Sequence, residues 1–416
     1  MRLRTRAILA PLLLLAPLVL LASTGLAAEP TSEPKAGVTG FGFGERLQIH
    51  GFASQGAVQS SANRYYGDSP ETSFDFTELG INASFRVNPR LMLAAQVLSR
   101  RAGDMSDGSP EIDFALADIN LVSNARYRAG MRVGRIKNRL GLYNETRDVP
   151  FTHPGIFLPQ VVYFDKVRNL VLSTDGILLY GDLHQPFGTF SATLSTGNPV
   201  IDENVEAAYM SGDFDGTLES ENHSWLASLW FDSATEALKL GLSGATASAK
   251  YHPNSSDPFS LQPGTIDIIY WIASAQYNAE RWSLTAEYMG EPMQWRDFGP
   301  WRPDRDATAE GYYAQGTYRF LPRWQLMARY EEGFANRDDR DGSQLERDTF
   351  GMAPANTAYS RILSLGVRWD INRQWMLRAE YSRHIGNFIL SEIENPDFSQ
   401  FEKHWNVFAI QAAFRF

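Results

Sequence analysis

The chain's last stretch, His404-Trp405-Asn406-Val407-Phe408-Ala409-Ile410-Gln411-Ala412-Ala413-Phe414-Arg415-Phe416, decides how the rest is read. Counting back from Phe416, every second residue is apolar: Phe416, Phe414, Ala412, Ile410 and Phe408. The interleaved set is Arg415, Ala413, Gln411, Ala409 and Val407, so polarity alternates clearly only towards the end. A period of two with one oily face is a β-strand. Such a strand fits a soluble sandwich as well as a membrane barrel, so other segments must discriminate.

Three octapeptides do. Arg281-Trp282-Ser283-Leu284-Thr285-Ala286-Glu287-Tyr288, Arg323-Trp324-Gln325-Leu326-Met327-Ala328-Arg329-Tyr330 and Gln374-Trp375-Met376-Leu377-Arg378-Ala379-Glu380-Tyr381 read as copies of one unit. Each puts Trp, Leu, Ala and Tyr on one face and mostly polar or charged groups on the other. Trp at one end of the oily face and Tyr towards the other matches aromatic girdles at two lipid interfaces. A β-propeller also repeats, but even blades with short loops do not fit the uneven connections described below. Beside this pattern, a chain ending on Phe resembles the terminal assembly signal of bacterial outer-membrane β-barrels.

Bulk properties agree. A chain of 416 residues suits two or three soluble domains or one large barrel. Mean hydropathy is −0.29, and beyond the N-terminus no run of apolar residues is long enough for a membrane helix. Alternating lipid-facing and lumen-facing residues give a barrel this average. The absence of cysteine excludes disulfides, thiolate chemistry and cysteine-based metal sites. Arg2, Arg4 and Arg6, an apolar run from Ala7 to Ala22, and Ala27-Ala28 predict a signal peptide over residues 1–28. Its removal leaves 35 basic residues against 48 acidic ones, a net charge of −13, which argues against nucleic acid as a partner. Residues 29–44 read as a periplasmic lead-in and 45–416 as the barrel.

The spacing of turns predicts the topology. Strands are expected over Glu45–Val58, Ser73–Val87, Leu91–Arg101 and Ile112–Ser123, and onward in the same manner. In the second, Thr77, Leu79, Ile81, Ala83 and Phe85 should face out, with Glu78, Gly80, Asn82, Ser84 and Arg86 facing in. Tight turns such as Asn88-Pro89-Arg90, Asn124-Ala125-Arg126 and Asn278-Ala279-Glu280 alternate with long connections. The long ones are about Gln59–Thr72, Ala102–Glu111, Arg139–Asn169, Gly197–Glu221, His252–Gly264, Pro292–Ala307, Ala335–Ala358 and Gly386–Phe401. Short periplasmic turns and long external loops are the rule for an even-stranded transmembrane antiparallel barrel, here about 16 strands. A barrel of that size is expected to leave an aqueous channel.

Sixteen strands, a terminal Phe and a long third loop resemble the general bacterial outer-membrane porin superfamily. Arg135-Ile136-Lys137-Asn138-Arg139-Leu140-Gly141-Leu142-Tyr143 is loosely similar to its phosphate-selective porin O/P-like group. The resemblance implies a Gram-negative outer membrane, a third loop (Arg139–Asn169) folded into the lumen, and passive diffusion of small hydrophilic solutes or anions. It also implies contact with outer-membrane lipid and lipopolysaccharide, a possible homotrimer, and no cofactor.

Alternation and loop position nominate pore-lining residues. They are Arg86, Arg128, Arg132, Arg329 and Arg378 on strands, Arg135 and Lys137 at the edge of the third loop, and Glu145, Arg147, Asp148, Asp165, Lys166 and Arg168 within it. A bulge at Gly134 could change the register of Arg135 and Lys137. Opposed charges across a narrow pore orient polar solutes and set ion preference; paired, they merely fill a polar lumen. Asp339-Arg340-Asp341-Gly342 lacks the ligands of a calcium loop, and His153 has no partner for a metal. No catalytic, cofactor or metal residues are assigned. An outer-membrane enzyme and a plugged structural or adhesin barrel are the competing functions.

Overall fold

The computed structural model describes residues 41–416 apart from 43, 45, 213, 258–260 and 301. The expected signal peptide and nearly all of the lead-in lie outside the described residues. Eighteen strands share one antiparallel sheet. Phe41–Gly42 and Thr217–Ser220 are short accessories, and the remaining sixteen form the barrel. These are β1 (Leu47–Ser60), β2 (Ser73–Asn88), β3 (Leu91–Ala102), β4 (Asp107–Ser123) and β5 (Tyr127–Lys137). Next come β6 (Ser173–Gln185), β7 (Gly188–Pro199), β8 (Ser224–Ser233), β9 (Leu238–His252), β10 (Thr265–Asn278) and β11 (Trp282–Arg296). The last five are β12 (Arg305–Leu321), β13 (Trp324–Phe334), β14 (Tyr359–Asp370), β15 (Trp375–Gly386) and β16 (His404–Arg415). Each strand pairs with the next, and β16 closes on β1 with Ala412 opposite Gln55. Closure leaves no open edge, which a membrane requires.

The expected alternation holds. Leu79, Ile81 and Phe85 are exposed on the outer wall of β2, whereas Glu78 is buried within. In the repeats Trp282, Leu284 and Tyr288 are exposed, as are Leu326, Tyr330, Trp375 and Tyr381. The repeats lie on alternate strands, and aromatic residues of the strands between them continue the band: Trp282 pairs with Tyr318 of β12, and Trp324 stacks on Trp369 of β14 at 5.2 Å. The six steps from Trp282 to Tyr288 span roughly 20 Å of strand at ~3.3 Å per residue. A continuous exposed apolar wall of this kind is stable only against lipid.

Some boundaries differ from expectation. The second long connection shortens to 103–106, because Asp107–Glu111 join β4. The sixth shortens to 297–304, and Pro292 sits inside β11, opposite Thr308. Gly134 has φ +125° yet stays in register with Leu116 and Gly176. The irregularity of β5 against β4 falls between Asn120 and Val122 instead. Loops L1 to L8 follow the odd-numbered strands. L1 is 61–72, L2 103–106, L3 138–172 and L4 200–223. L5 is 253–264, L6 297–304, L7 335–358 and L8 387–403.

At the level of L3 much of the lumen is filled by packed side chains. Phe157 of L3 packs on Tyr65 and Tyr66 of L1 at 5.3 and 5.1 Å, in one buried cluster with Val161, Val162 and Tyr163 of L3 and with Tyr209 and Met210 of a helix in L4 (α1, Glu203–Met210). These pack on inward side chains of the wall, among them Ile266, Ile272, Met289 and Ile362. The inward face is therefore more apolar here than a water-lined pore requires, because it receives loops rather than water.

Candidate functional site

L3 leaves β5, crosses the lumen and is held at both sides. On the far side the wall binds its main chain. Glu287 of β11 accepts hydrogen bonds from Leu142 N at 2.9 Å, Tyr163 Oη at 2.5 Å, Tyr313 Oη at 2.7 Å and Ser274 Oγ at 2.5 Å. Glu331 of β13 accepts from Val161 N at 3.4 Å, and Glu380 of β15 from Ile156 N at 2.6 Å. Arg329 donates to the Phe157 carbonyl at 3.1 Å and bridges Glu331 and Glu380 at 2.7 and 3.2 Å. Arg378 donates to the carbonyls of Gly155 and His153 and to Gln411. Glu287, Arg329 and Glu380 occupy the same inward place in the three repeats, just before the Tyr. A strand's period of two explains this: what points to lipid on one residue points to L3 on the next. Glycine opens the seat. A Cβ on Gly311 would lie 2.0 Å from the Val161 carbonyl oxygen, and one on Gly333 would lie 2.8 Å from its Cγ1.

On the near side L3 is held through its side chains. Four wall groups, Glu78, Arg100, Asp113 and Lys137, meet four loop groups, Arg147, Asp148, Asp165 and Arg168. Arg100 contacts Glu78 at 3.6 Å and Asp165 at 3.3 Å, and Arg147 contacts Asp165 at 2.9 Å. Lys137 contacts Asp113 at 2.5 Å and also Asp148, which Arg168 shares. Tyr66 of L1 donates to Asp165. All eight side chains are buried or nearly so. Burial alone would raise the Asp165 carboxyl, but Arg100, Arg147 and the Tyr66 hydroxyl outweigh it and hold it below its ordinary value. Asp148 is likewise held low, against burial, by Arg168 and Lys137. With four acids and four bases, the cluster is neutral as a set, so its charges anchor the loop rather than face a solute.

The predicted residues thus divide. Lys137, Arg147, Asp148, Asp165 and Arg168 come together in the near-side cluster; Arg329 and Arg378 grip the loop from the far side. Lys166 leaves the cluster for Glu392 of L8 at 2.9 Å, and Glu145 pairs with Arg139 at 3.7 Å. Arg135 is held by both oxygens of Asp175 at 2.8 Å. Arg132 contacts Asp118 at 3.1 Å, and Arg128 lies over the Tyr180 ring at 5.0 Å. Nine residues separate Arg128 from Lys137, roughly 30 Å of strand, so Arg128 belongs to the turn end of the barrel and not to L3. Arg86 also lies at that end, with no ion-pair partner among the described residues. Sequence reasoning passed over Arg100 and Asp113. Alternation with outward Val97 would have turned Arg100 inward. Asp113 was hidden by a bulge, since Val97 pairs with Ile112 while Gln96 pairs with Phe114.

His153 is a buried packing residue. Burial and Arg378 push its imidazole down to about 3, and Nδ1 meets the Gly155 carbonyl at 2.9 Å. Ser382 and His384 form a 2.7 Å pair that the sequence did not suggest. Both are buried, the imidazole stacks on Trp405 at 3.9 Å, and its Nδ1 has no partner among the described residues. An inaccessible pair without an orienting carboxylate lacks the geometry of a nucleophile. One polar cavity of about 320 Å³ adjoins the near-side cluster and is lined by Arg100, Asp113, Asp165, Arg168, Ser173 and Asp202.

A closed sixteen-stranded barrel with a lipid-facing wall and an inward third loop has the architecture of outer-membrane porins. Comparison with solved structures agrees on the fold. The trimer form of OmpT, an outer-membrane protein of Vibrio cholerae folded in vitro, superposes with TM-score 0.53 at 13% identity, covering 89% of this chain and 99% of that one. The anion-selective porin of Comamonas acidovorans gives TM-score 0.54 at 12% identity, covering 89% and 99%. OmpF of Salmonella typhi, solved with daunomycin, gives 0.53 at 13% identity, covering 89% and 97%. No protein-family model matches the sequence, and no curated protein sequence does.

Proposed function

We propose that the protein is an outer-membrane channel of porin type, in which L3 narrows the lumen and small hydrophilic solutes or ions pass by the polar near side. The observation that carries this reading is the placement of L3. It crosses the lumen, seats on glycines of the far wall, and leaves its polar cavity beside β3 to β5. Three structural neighbours described as outer-membrane porins or proteins support it. The finer similarity to phosphate-selective porins is not part of the proposal, because Arg135 and Arg139 are occupied by Asp175 and Glu145. Assembly as a homotrimer is part of it, supported by the trimeric neighbour.

Single-channel recording in planar bilayers tests the reading. Discrete currents from the purified protein, enlarged by releasing L3, are the expected result. The packed lumen favours a second reading, a plugged structural barrel. Silence from both the native protein and an L3-released variant would leave only that one.

A further inference from the structure

The two ends of the barrel carry opposite charge. Outside L3, the long loops hold 22 acidic residues and 6 basic ones; L4 alone has seven acids and no base. The short turns at the other end, 89–90, 124–126, 186–187, 234–237, 279–281, 322–323 and 371–374, hold five bases and two acids. The interior repeats the trend. Near the turns, Arg86, Arg128, Arg319 and Arg415 have no carboxylate within ion-pair distance among the described residues. Phe85 and Tyr318 are exposed outside, so Arg86 and Arg319 point inward. Arg415 lies over the ring of Phe151 in L3 at 4.3 Å. Among the described side chains Asp182, opposite Arg128 in register, faces this end without an ion pair, while Arg132, Lys239 and Arg368 are neutralised by Asp118, Asp232 and Asp370. Between the ends stands the neutral eight-charge cluster.

We infer that this arrangement makes the channel a rectifier, with the loop mouth gathering cations and the turn mouth gathering anions. The inference rests on the channel reading above. When the loop side is positive, cations enter through the acidic mouth and anions through the basic one, so both carriers accumulate in the middle. With the opposite polarity both are drawn out and the middle is depleted. Current is therefore larger with the loop side positive. Fixed charges act over a Debye length, about 10 Å at 0.1 M salt and about 3 Å at 1 M, so the asymmetry fades at high salt.

The test is a current–voltage curve from single insertions in symmetric potassium chloride, with orientation fixed by a protease added to one side. The expected result at 0.1 M is about two-fold or more current with the loop side positive, and near-equal currents at 1 M. Replacing Arg86, Arg128, Arg319 and Arg415 together by Gln should bring the 0.1 M ratio close to one. The same four changed to Lys should keep it, which separates charge from packing. Symmetric currents at 0.1 M, the opposite polarity, or a ratio indifferent to salt would each overturn the inference and leave the channel standing. No current at all would remove the channel and the inference together.

Discussion

The two walls that hold L3 do the same job with different chemistry. The far wall, β11 to β15, presents Glu287, Arg329, Glu331, Glu380 and Arg378 to the loop's amides and carbonyls. The near wall, β2 to β5, presents Glu78, Arg100, Asp113 and Lys137 to loop side chains of opposite sign. Main-chain groups are present whatever the loop sequence, so the far attachment tolerates change in L3. Side-chain ion pairs exist only while both partners do, so the near attachment can fail at one residue. The chain has no cysteine, and Val161 is fully buried. A single Val161→Cys reporter therefore reacts with a thiol reagent only when L3 lifts, and its labelling rate measures both attachments without reference to current.

The largest effect is expected at Asp148. Its carboxylate is shared by Lys137 and Arg168 in a buried cluster. Asp148→Ala leaves two cations against Asp113 alone, and breaking a buried pair in this way costs about 3–5 kcal/mol. Labelling of the reporter should rise by orders of magnitude, and single-channel current with it. A rate equal to that of the parent would mean that the far wall alone suffices to hold the loop.

Gly311→Ala comes next and strikes the far seat. The new Cβ would meet the Val161 carbonyl oxygen, a backbone atom that must shift bodily. Overpacking of this kind costs about 1–3 kcal/mol. The reporter should be exposed through the middle of L3 while the near-side ion pairs persist. If Gly311→Ala labels no faster than the parent, the loop is less tightly seated than its contacts imply. Glu287→Gln is milder. It keeps one acceptor oxygen but presents an NH₂ to donors, at about 1–2 kcal/mol, and labelling should rise only several-fold.

How much of this was legible beforehand differs between the walls for a physical reason. The far wall is regular. Its repeats announced the strands, the aromatic ends and the inward charges, because β11, β13 and β15 keep an unbroken period of two. What the repeats did not disclose was the partner: Arg329 and Arg378 read as pore charges, and only the fold brings L3 carbonyls to them. The near wall is irregular. The bulge at Asp113 breaks alternation, and half of its cluster lies in a loop without periodicity, so charges that read as a selectivity filter prove to be mutual partners. The packed lumen was hidden for a related reason. Alternation places Ile272 and Met289 inward but does not say that L3 will cover them, Ile272 lying beside Gly141 and Met289 beside the Gly311 seat of Val161.

The smallest effect on L3 is expected at the loops above it, and it depends on pH. Glu394 of L8 is buried and accepts from the amides of Gly67 at 2.6 Å, Tyr66 at 3.2 Å and Asp104 at 3.3 Å, so one carboxylate clasps L8 to L1 and L2. Arg64 and Asp104, which pair with each other at 2.9 Å, are the charged neighbours. Burial pushes the Glu394 carboxyl from its ordinary 4.5 up to about 7, against the pull of the three amides. The closed clasp therefore holds a proton that the opened loop releases. Its advantage is fully present below pH 4.5 and is lost as pH rises through 7. Spin labels on L1 and L8 should give a narrower distance distribution at pH 5 than at pH 8, with Val161→Cys labelling almost unchanged. Glu394→Gln, neutral at every pH, should abolish the difference. A clasp that tightens on going from pH 5 to pH 8 would mean that the amides, and not burial, govern the carboxylate.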